Sequence, residues 1–296
     1  MRTKAWWLAA AAHVGLLAGA AAGRQADAGA EERAEAPAAS SASWDGEPGP
    51  AREVWDRWTI RFEAAAWAPA LAGDATLPGG TSVDVEDIDA DENEIEPTGR
   101  ALIRGGKWSF MFRGFGFSFD DEGRAGASFD ASDEISFVRG DAVDAAIDIQ
   151  GFDLTAGYTV LTPIDDVERD VRVAFDLYAG ARLHTLDLSI GVPGGEAAQD
   201  DGVWVEPIGG VRVAVDLPHE FGFDLTLDGG GFPGSDASSY SWDVTVAFRW
   251  MFLGQGVGGL EIGFRHLRMN LEDGDAEALE FDGALAGLFG GIVIRF

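Results

Sequence analysis

The chain has 296 residues, with 51 acidic side chains against 21 Lys and Arg, a formal net charge of −30 and no cysteine. That length fits one domain plus processing segments, and the missing cysteines exclude a disulfide scaffold, a thiolate metal site and a lipoprotein anchor. So negative a chain makes nucleic acid and anionic lipid surfaces poor partners.

The N-terminus reads as a signal peptide over residues 1–22. Arg2 and Lys4 precede an apolar run from Ala5 to Ala18, and Ala20, Ala21 and Ala22 place cleavage near Gly23. The run is short of the ~20 apolar residues that a helical span requires. No later stretch offers ~18 consecutive apolar residues, which excludes a helical membrane protein. Residues 23–54 are Ala, Glu, Ser, Pro and Gly with few large apolar groups. They cannot bury enough surface to fold and read as a disordered, acidic periplasmic leader.

From Trp55 onward the apolar pattern has period two. Strands are predicted near 58–68, 99–105, 107–119, 143–162, 170–189, 203–217, 220–229, 239–252, 257–271 and 280–296. The clearest carries Tyr240, Trp242, Val244, Val246, Phe248, Trp250 and Phe252 on one face. Short connections alternate with long ones, so with the N-terminus in the periplasm every long loop lies outside. That asymmetry, with an even strand count, predicts a closed antiparallel up-and-down transmembrane β-barrel of about ten strands over 55–296, eight or twelve being the alternatives. Aromatics at the strand ends fit the girdles of such a barrel. In 107–119 and 143–162 the apolar parity changes at Gly114 and Gly151, which predicts a β-bulge at each glycine, or a further hairpin in the second long loop.

The first long loop, 70–98, is strongly acidic. Asp87, Asp89 and Asp91 have the opening spacing of a calcium loop, but Glu92 and Thr98 stand where an EF-hand needs Gly and Glu. A solvated loop is the plain expectation. Weak Ca²⁺ or Mg²⁺ binding there, bridging lipopolysaccharide, is the sharper one.

Charged residues on lipid-facing positions are costly, so strand parity turns them inward. A lumenal belt of ion pairs is predicted in the periplasmic half from Arg61, Glu63, Arg172, Asp176, Arg212, Asp216, Asp224, Arg249, Glu261 and Arg295. Above it, Glu206, Asp228 and Asp243 predict an acidic mouth facing Arg182 and His184. His184 is the one conceivable catalytic base, and no nucleophile motif accompanies it. No nucleotide, haem or zinc motif is present, and no cofactor is expected.

The closing strand GLFGGIVIRF alternates and ends on an aromatic. Gly291, Ile294 and Phe296 occupy the positions of an outer-membrane assembly signal, with Ile294 standing where an aromatic is usual. Together with AAAWAPALAGDATL at 64–77, GGKW at 105–108, DLYAGARLH at 176–184, DGGGFPGSDASSYSW at 228–242 and GFRHLRMN at 263–270, this strand resembles Gram-negative outer-membrane β-barrels of a small porin-like group. The resemblance implies an outer-membrane location, with membrane lipid, lipopolysaccharide and the barrel-assembly machinery as partners. It carries over no catalytic residues. The expected role is a narrow or plugged channel, or a structural surface protein. A binding module for small ligands or divalent cations at the acidic loops is the alternative, and a barrel hydrolase near His184 the third.

Overall fold

A computed structural model describes residues 58–296 except 89–94, 167, 235–236, 255 and 275–277. The signal-peptide and leader readings therefore lie outside the described residues. Ten long strands run in chain order: β1 (Thr59–Thr76), β2 (Glu96–Gly105), β3 (Trp108–Arg124), β4 (Ala142–Asp166), β5 (Val171–Gly191), β6 (Ala197–Leu217), β7 (Phe221–Phe232), β8 (Ser238–Leu253), β9 (Gly258–Glu272) and β10 (Glu280–Arg295). Each pairs antiparallel with its neighbours, and β10 returns to β1 from Arg61↔Arg295 to Thr76↔Glu280. The barrel is closed, all-β and up-and-down. A two-residue hairpin, Phe129–Asp130 with Ser136–Phe137, lies in the second long loop in a sheet of its own, so the twelve-strand alternative is not realised.

The turn β2–β3 is tight because Gly106 takes φ 58, a left-handed conformation that costs glycine little. The turns β4–β5, β6–β7 and β8–β9 share that end of the barrel. The longer loops, 77–95 and 125–141, are at the other end.

The expected bulges at Gly114 and Gly151 are absent. The β3–β4 register runs unbroken from Trp108↔Tyr158 to Arg124↔Ala142, passing Gly114↔Phe152 and Phe115↔Gly151. Side chains keep alternating in and out; what changes is the chemistry of each face. On β3, Phe110 and Phe112 are exposed on the outside, whereas Phe115, Phe117 and Phe119 are buried inside. On β4, Leu154 and Tyr158 point out, and Val143, Ala145, Ile147 and Ile149 fill the interior. On β5, Phe175 and Leu177 point out, and Leu186, Leu188 and Ile190 point in. Register shifts in β4 and β8 occur instead near the short turns, between Thr159 and Ile164 and between Met251 and Leu253.

The barrel thus has two zones. The lower zone, toward the short turns, is apolar outside and charged inside. The upper zone, toward the long loops, is apolar inside and polar outside, like a soluble β-protein. Its core joins Trp67, Leu71, Phe115, Phe117, Leu267, Met269 and Phe281 to loop residues Val85, Ile88, Phe129 and Phe137. Burying each large apolar side chain contributes roughly 1.5–3 kcal/mol.

β2 is the shortest barrel strand. Its ladder with β1 ends at Trp67↔Glu96 and with β3 at Thr98↔Phe115. Pro97 and Pro69 flank that end, and neither has an N–H with which to extend it. Above it, among the described residues, β1 pairs on that side only with Val83–Asp84. The 3₁₀ turn Val85–Ile88 packs there against both β1 and β3.

Candidate functional site

Strand alternation turns one residue in two toward the lumen, and in the lower zone these positions carry most of the charge. Two interlocked clusters result. The lower one joins Arg61, Arg100, Arg104, Arg212 and Arg249 to Glu63, Asp176, Asp224 and Glu261. Asp224 is its hub, accepting from Arg249 Nη1 at 2.7 Å, Arg212 Nε at 3.1 Å and Arg61 Nη2 at 3.3 Å. Arg61 also pairs with Glu63 at 2.6 Å. Arg100 bonds Glu63 and reaches Glu261 at 3.3 Å. Asp176 accepts from Arg104 and from Thr159 Oγ1, the latter at 2.7 Å.

The upper cluster joins Arg113, Arg182 and Arg265 to Asp153, Asp228 and Asp243. Asp153 accepts from the Nε of Arg113 and of Arg182, each at 2.7 Å. Asp228 accepts from Arg182 Nη2 at 2.7 Å and from the Tyr178 hydroxyl at 2.8 Å. Asp243 pairs with Arg265 Nη2 at 2.6 Å and Arg113 Nη2 at 3.1 Å. The Arg265 guanidinium lies 5.1 Å from the Trp67 ring centroid and 4.6 Å from that of Phe115. Both distances are in cation–π range.

Each such pair has about 4 kcal/mol of gross attraction at an effective dielectric of 20, offset by desolvation. Loss of one partner from a buried pair costs more, about 3–5 kcal/mol, because it strands the other charge. The network is therefore a poor source of net stability but intolerant of partial removal.

The structure places the ten residues of the predicted belt at different depths. Arg61, Glu63, Asp176, Arg212, Asp224, Arg249 and Glu261 are interior. The other three sit at the lower rim. Asp216 pairs with Arg249 at 3.4 Å and is in register with Arg172, while Arg295 pairs with Glu220 at 3.2 Å. Arg100 was missed, although it lies four residues before Arg104 and shares its parity. The upper cluster was missed as a cluster because it depends on register between distant strands.

The predicted acidic mouth does not form. Glu206, Asp228 and Asp243 are buried, and the two aspartates belong to the upper cluster. Glu206 accepts from the Ser241 hydroxyl and lies 3.9 Å from Arg182. The apolar core of the upper zone closes the lumen above them, so they face arginines rather than solvent. His184 is fully buried beside them, its Nε2 3.6 Å from Glu206 Oε1, beyond hydrogen-bond range.

Of the candidate cation ligands, Asp87 is described, its carbonyl accepting from the Gly126 N–H at 2.7 Å. Asp89 and Asp91 lie outside the described residues. Among the described residues no metal-ligating group of three or more His, Asp or Glu converges. At the closing strand, Phe296 exchanges backbone hydrogen bonds with Ile60 at 3.0 and 2.8 Å, and its ring meets Phe62 edge-on at 6.3 Å. Ile294 is exposed on the outer face. Gly291 is held close to β1, where a Cβ would stand 2.2 Å from the Ala64 carbonyl oxygen.

The outer wall is the reverse of the lumen. Trp108, Phe110, Phe112, Leu154, Leu177, Val205, Phe248, Trp250, Leu260, Ile262 and Ile292 are all exposed there. Among the described residues no charged side chain interrupts this band, and an Arg at its mid-height would cost ~2–4 kcal/mol in a bilayer. A water-facing surface does not carry such a band around its circumference. This is a membrane-spanning β-barrel. Its even strand number, short turns and opposite long loops are the architecture of outer-membrane barrels.

No family model matches the chain, and no curated protein does. Solved structures of membrane barrels are similar to it. The outer-membrane protease OmpT from Escherichia coli is 9% identical with a TM-score of 0.42, the match covering 80% of this chain and 97% of that one. Ail, the attachment invasion locus protein of Yersinia pestis, is 9% identical with a TM-score of 0.32, covering 80% and 99%. The outer-membrane protein AlkL is 16% identical with a TM-score of 0.29, covering 90% and 97%.

Proposed function

We propose that the protein is an outer-membrane barrel with a sealed lumen, acting as a structural surface protein that raises its long loops above the membrane. Two successive seals support this reading: the arginine–carboxylate network in the lower zone and the apolar core above it. Water and ions would have to break the first and dewet the second. Catalysis is no part of the proposal, because His184 is walled in by the same packing and no solvent-facing nucleophile stands beside it. Lipopolysaccharide and membrane lipid contact the apolar band, and the assembly machinery reads the closing strand.

Planar-bilayer recording tests the seal. The folded barrel is expected to leave the membrane silent at all applied voltages. Reproducible stepwise conductance would overturn the sealed reading and restore the channel.

A further inference from the structure

A cavity of about 420 Å³, its open side included, lies inside the barrel near the upper end of β2. Small-molecule sites span roughly 300–1,000 Å³, so this one has the size for a compact organic ligand. Trp67, Ala65 and Phe289 form its apolar walls, a poor lining for water alone. The Thr98 and Thr245 hydroxyls also reach it, and both are already committed. Thr98 donates to the Gly114 carbonyl at 3.1 Å and Thr245 to Asp243 at 3.0 Å.

Two charged groups on the cavity wall keep bonding capacity. Arg265 is buried, and its Nε and Nη2 are held by Asp243 at 2.8 and 2.6 Å. Its Nη1 has no acceptor among the described residues. The Trp67 and Phe115 rings restrain the guanidinium, so Nη1 has little freedom to turn elsewhere. A buried charged donor without an acceptor is costly, which favours an acceptor from outside the chain. Glu261 stands on the same strand, one turn of alternation lower. Arg100 Nη2 meets both of its oxygens at 3.3 Å, and a carboxylate has about four lone-pair sites. Glu261 can therefore accept from a further donor.

The charge count says what kind of molecule fits between them. The lower cluster holds five arginines and four carboxylates, and the upper three of each. Buried Glu206, 3.9 Å from Arg182, levels the interior at eight against eight. An ion of either sign would add an uncompensated charge in a dry site, which is expensive. An uncharged molecule with one acceptor and one donor adds none.

We propose that this cavity binds one small uncharged polar molecule of the carboxamide type. Its carbonyl oxygen accepts from Arg265 Nη1, its N–H donates to Glu261, and its apolar part lies against Trp67 and Phe289. The site goes beyond the structural role proposed above, and it rests on the closed lumen, since an open pore would pass the molecule rather than hold it. Trifluoroacetamide is the probe, because it carries both polar groups and its fluorines are read by NMR. The full-length barrel, folded in a zwitterionic detergent, is titrated with it. Trifluoroacetate, a charged analogue of the same shape, is titrated in parallel.

The expected result is saturable broadening of the amide's fluorine signal, with the anion bound roughly tenfold or more weakly. Arg265→Met removes the charged donor and should weaken amide binding by roughly tenfold or more. Ala65→Leu fills the cavity, leaves every charge in place and should abolish binding, so it decides the matter should Arg265→Met fail to fold. Absence of saturable broadening from a folded barrel means water alone occupies the cavity and overturns the proposal. Equal binding of trifluoroacetate, or amide binding that survives either variant, also overturns it. A bilayer conductance would instead strike the sealed-lumen reading, which keeps the two failures apart.

Discussion

At the scale of single residues, like charges are the exposed counterpart of the buried network. Asp148, Asp187 and Asp201 stand directly opposite one another on β4, β5 and β6, on the outer face of the upper zone above the apolar band. Partial burial, then the Asp201 and Asp148 carboxylates, push the Asp187 carboxyl above its usual range. A carboxyl raised in the folded state binds its proton more tightly there than in the unfolded chain. Stability from this group therefore rises as pH falls through the interval between the ordinary and the raised value. Asp187→Asn is expected to stabilise the barrel at neutral pH by about 0.5 kcal/mol, the scale of a cross-strand like-charge pair. The gain should vanish at the acid end of that interval, as read by urea unfolding at several pH values. The row was visible in the sequence only as scattered acids. Which aspartates face each other is a matter of register, and register is set by the whole sheet.

At the scale of elements, β4 shows what alternation can and cannot tell. Its change of apolar parity at Gly151 was legible, and so was the matching change at Gly114 on β3. A period-two pattern has the same appearance whether the backbone slips by one residue or the solvent changes from lipid to water. Only the unbroken pairing of the two strands separates these cases. The glycines have a packing reason instead: a Cβ on Gly151 would lie 2.0 Å from the Phe115 ring. The two-zone strand has a direct test on one face of β4. Leu154→Arg places a charge in the apolar band and should cost ~2–4 kcal/mol of stability in lipid vesicles. Asp148→Arg, on the same outer face but in the upper zone, should cost nothing and relieve the repulsion with Asp187. Equal penalties for both would contradict the boundary drawn between the zones. Strand number, the separation of short turns from long loops, and most of the inward charges were likewise legible, because each follows from local alternation and loop length. The ends of β2 and the fate of Glu206, Asp228 and Asp243 were not. They depend on which core the loops build above them.

At the scale of the whole molecule, the surface and the interior follow opposite electrostatic rules. The chain carries a large excess of acid, yet its interior is nearly balanced, so the excess resides mainly in the loops and the upper outer wall. Added salt should screen the surface charges and leave the enclosed pairs almost untouched. The enclosed pairs also join strands that are remote in sequence. Arg61 of β1 reaches Asp224 of β7, and Arg100 of β2 reaches Glu261 of β9. None of these bonds can exist until the last strand has met the first. They belong to the end of folding and contribute little to its rate-limiting step. Interactions absent from the transition state act as brakes on the reverse reaction. Arg61→Gln is therefore expected to speed unfolding several-fold while leaving the folding rate nearly unchanged, as measured by stopped-flow tryptophan fluorescence in both directions. The cross-lumen arginines would then govern how long the folded barrel lasts more than how readily it forms.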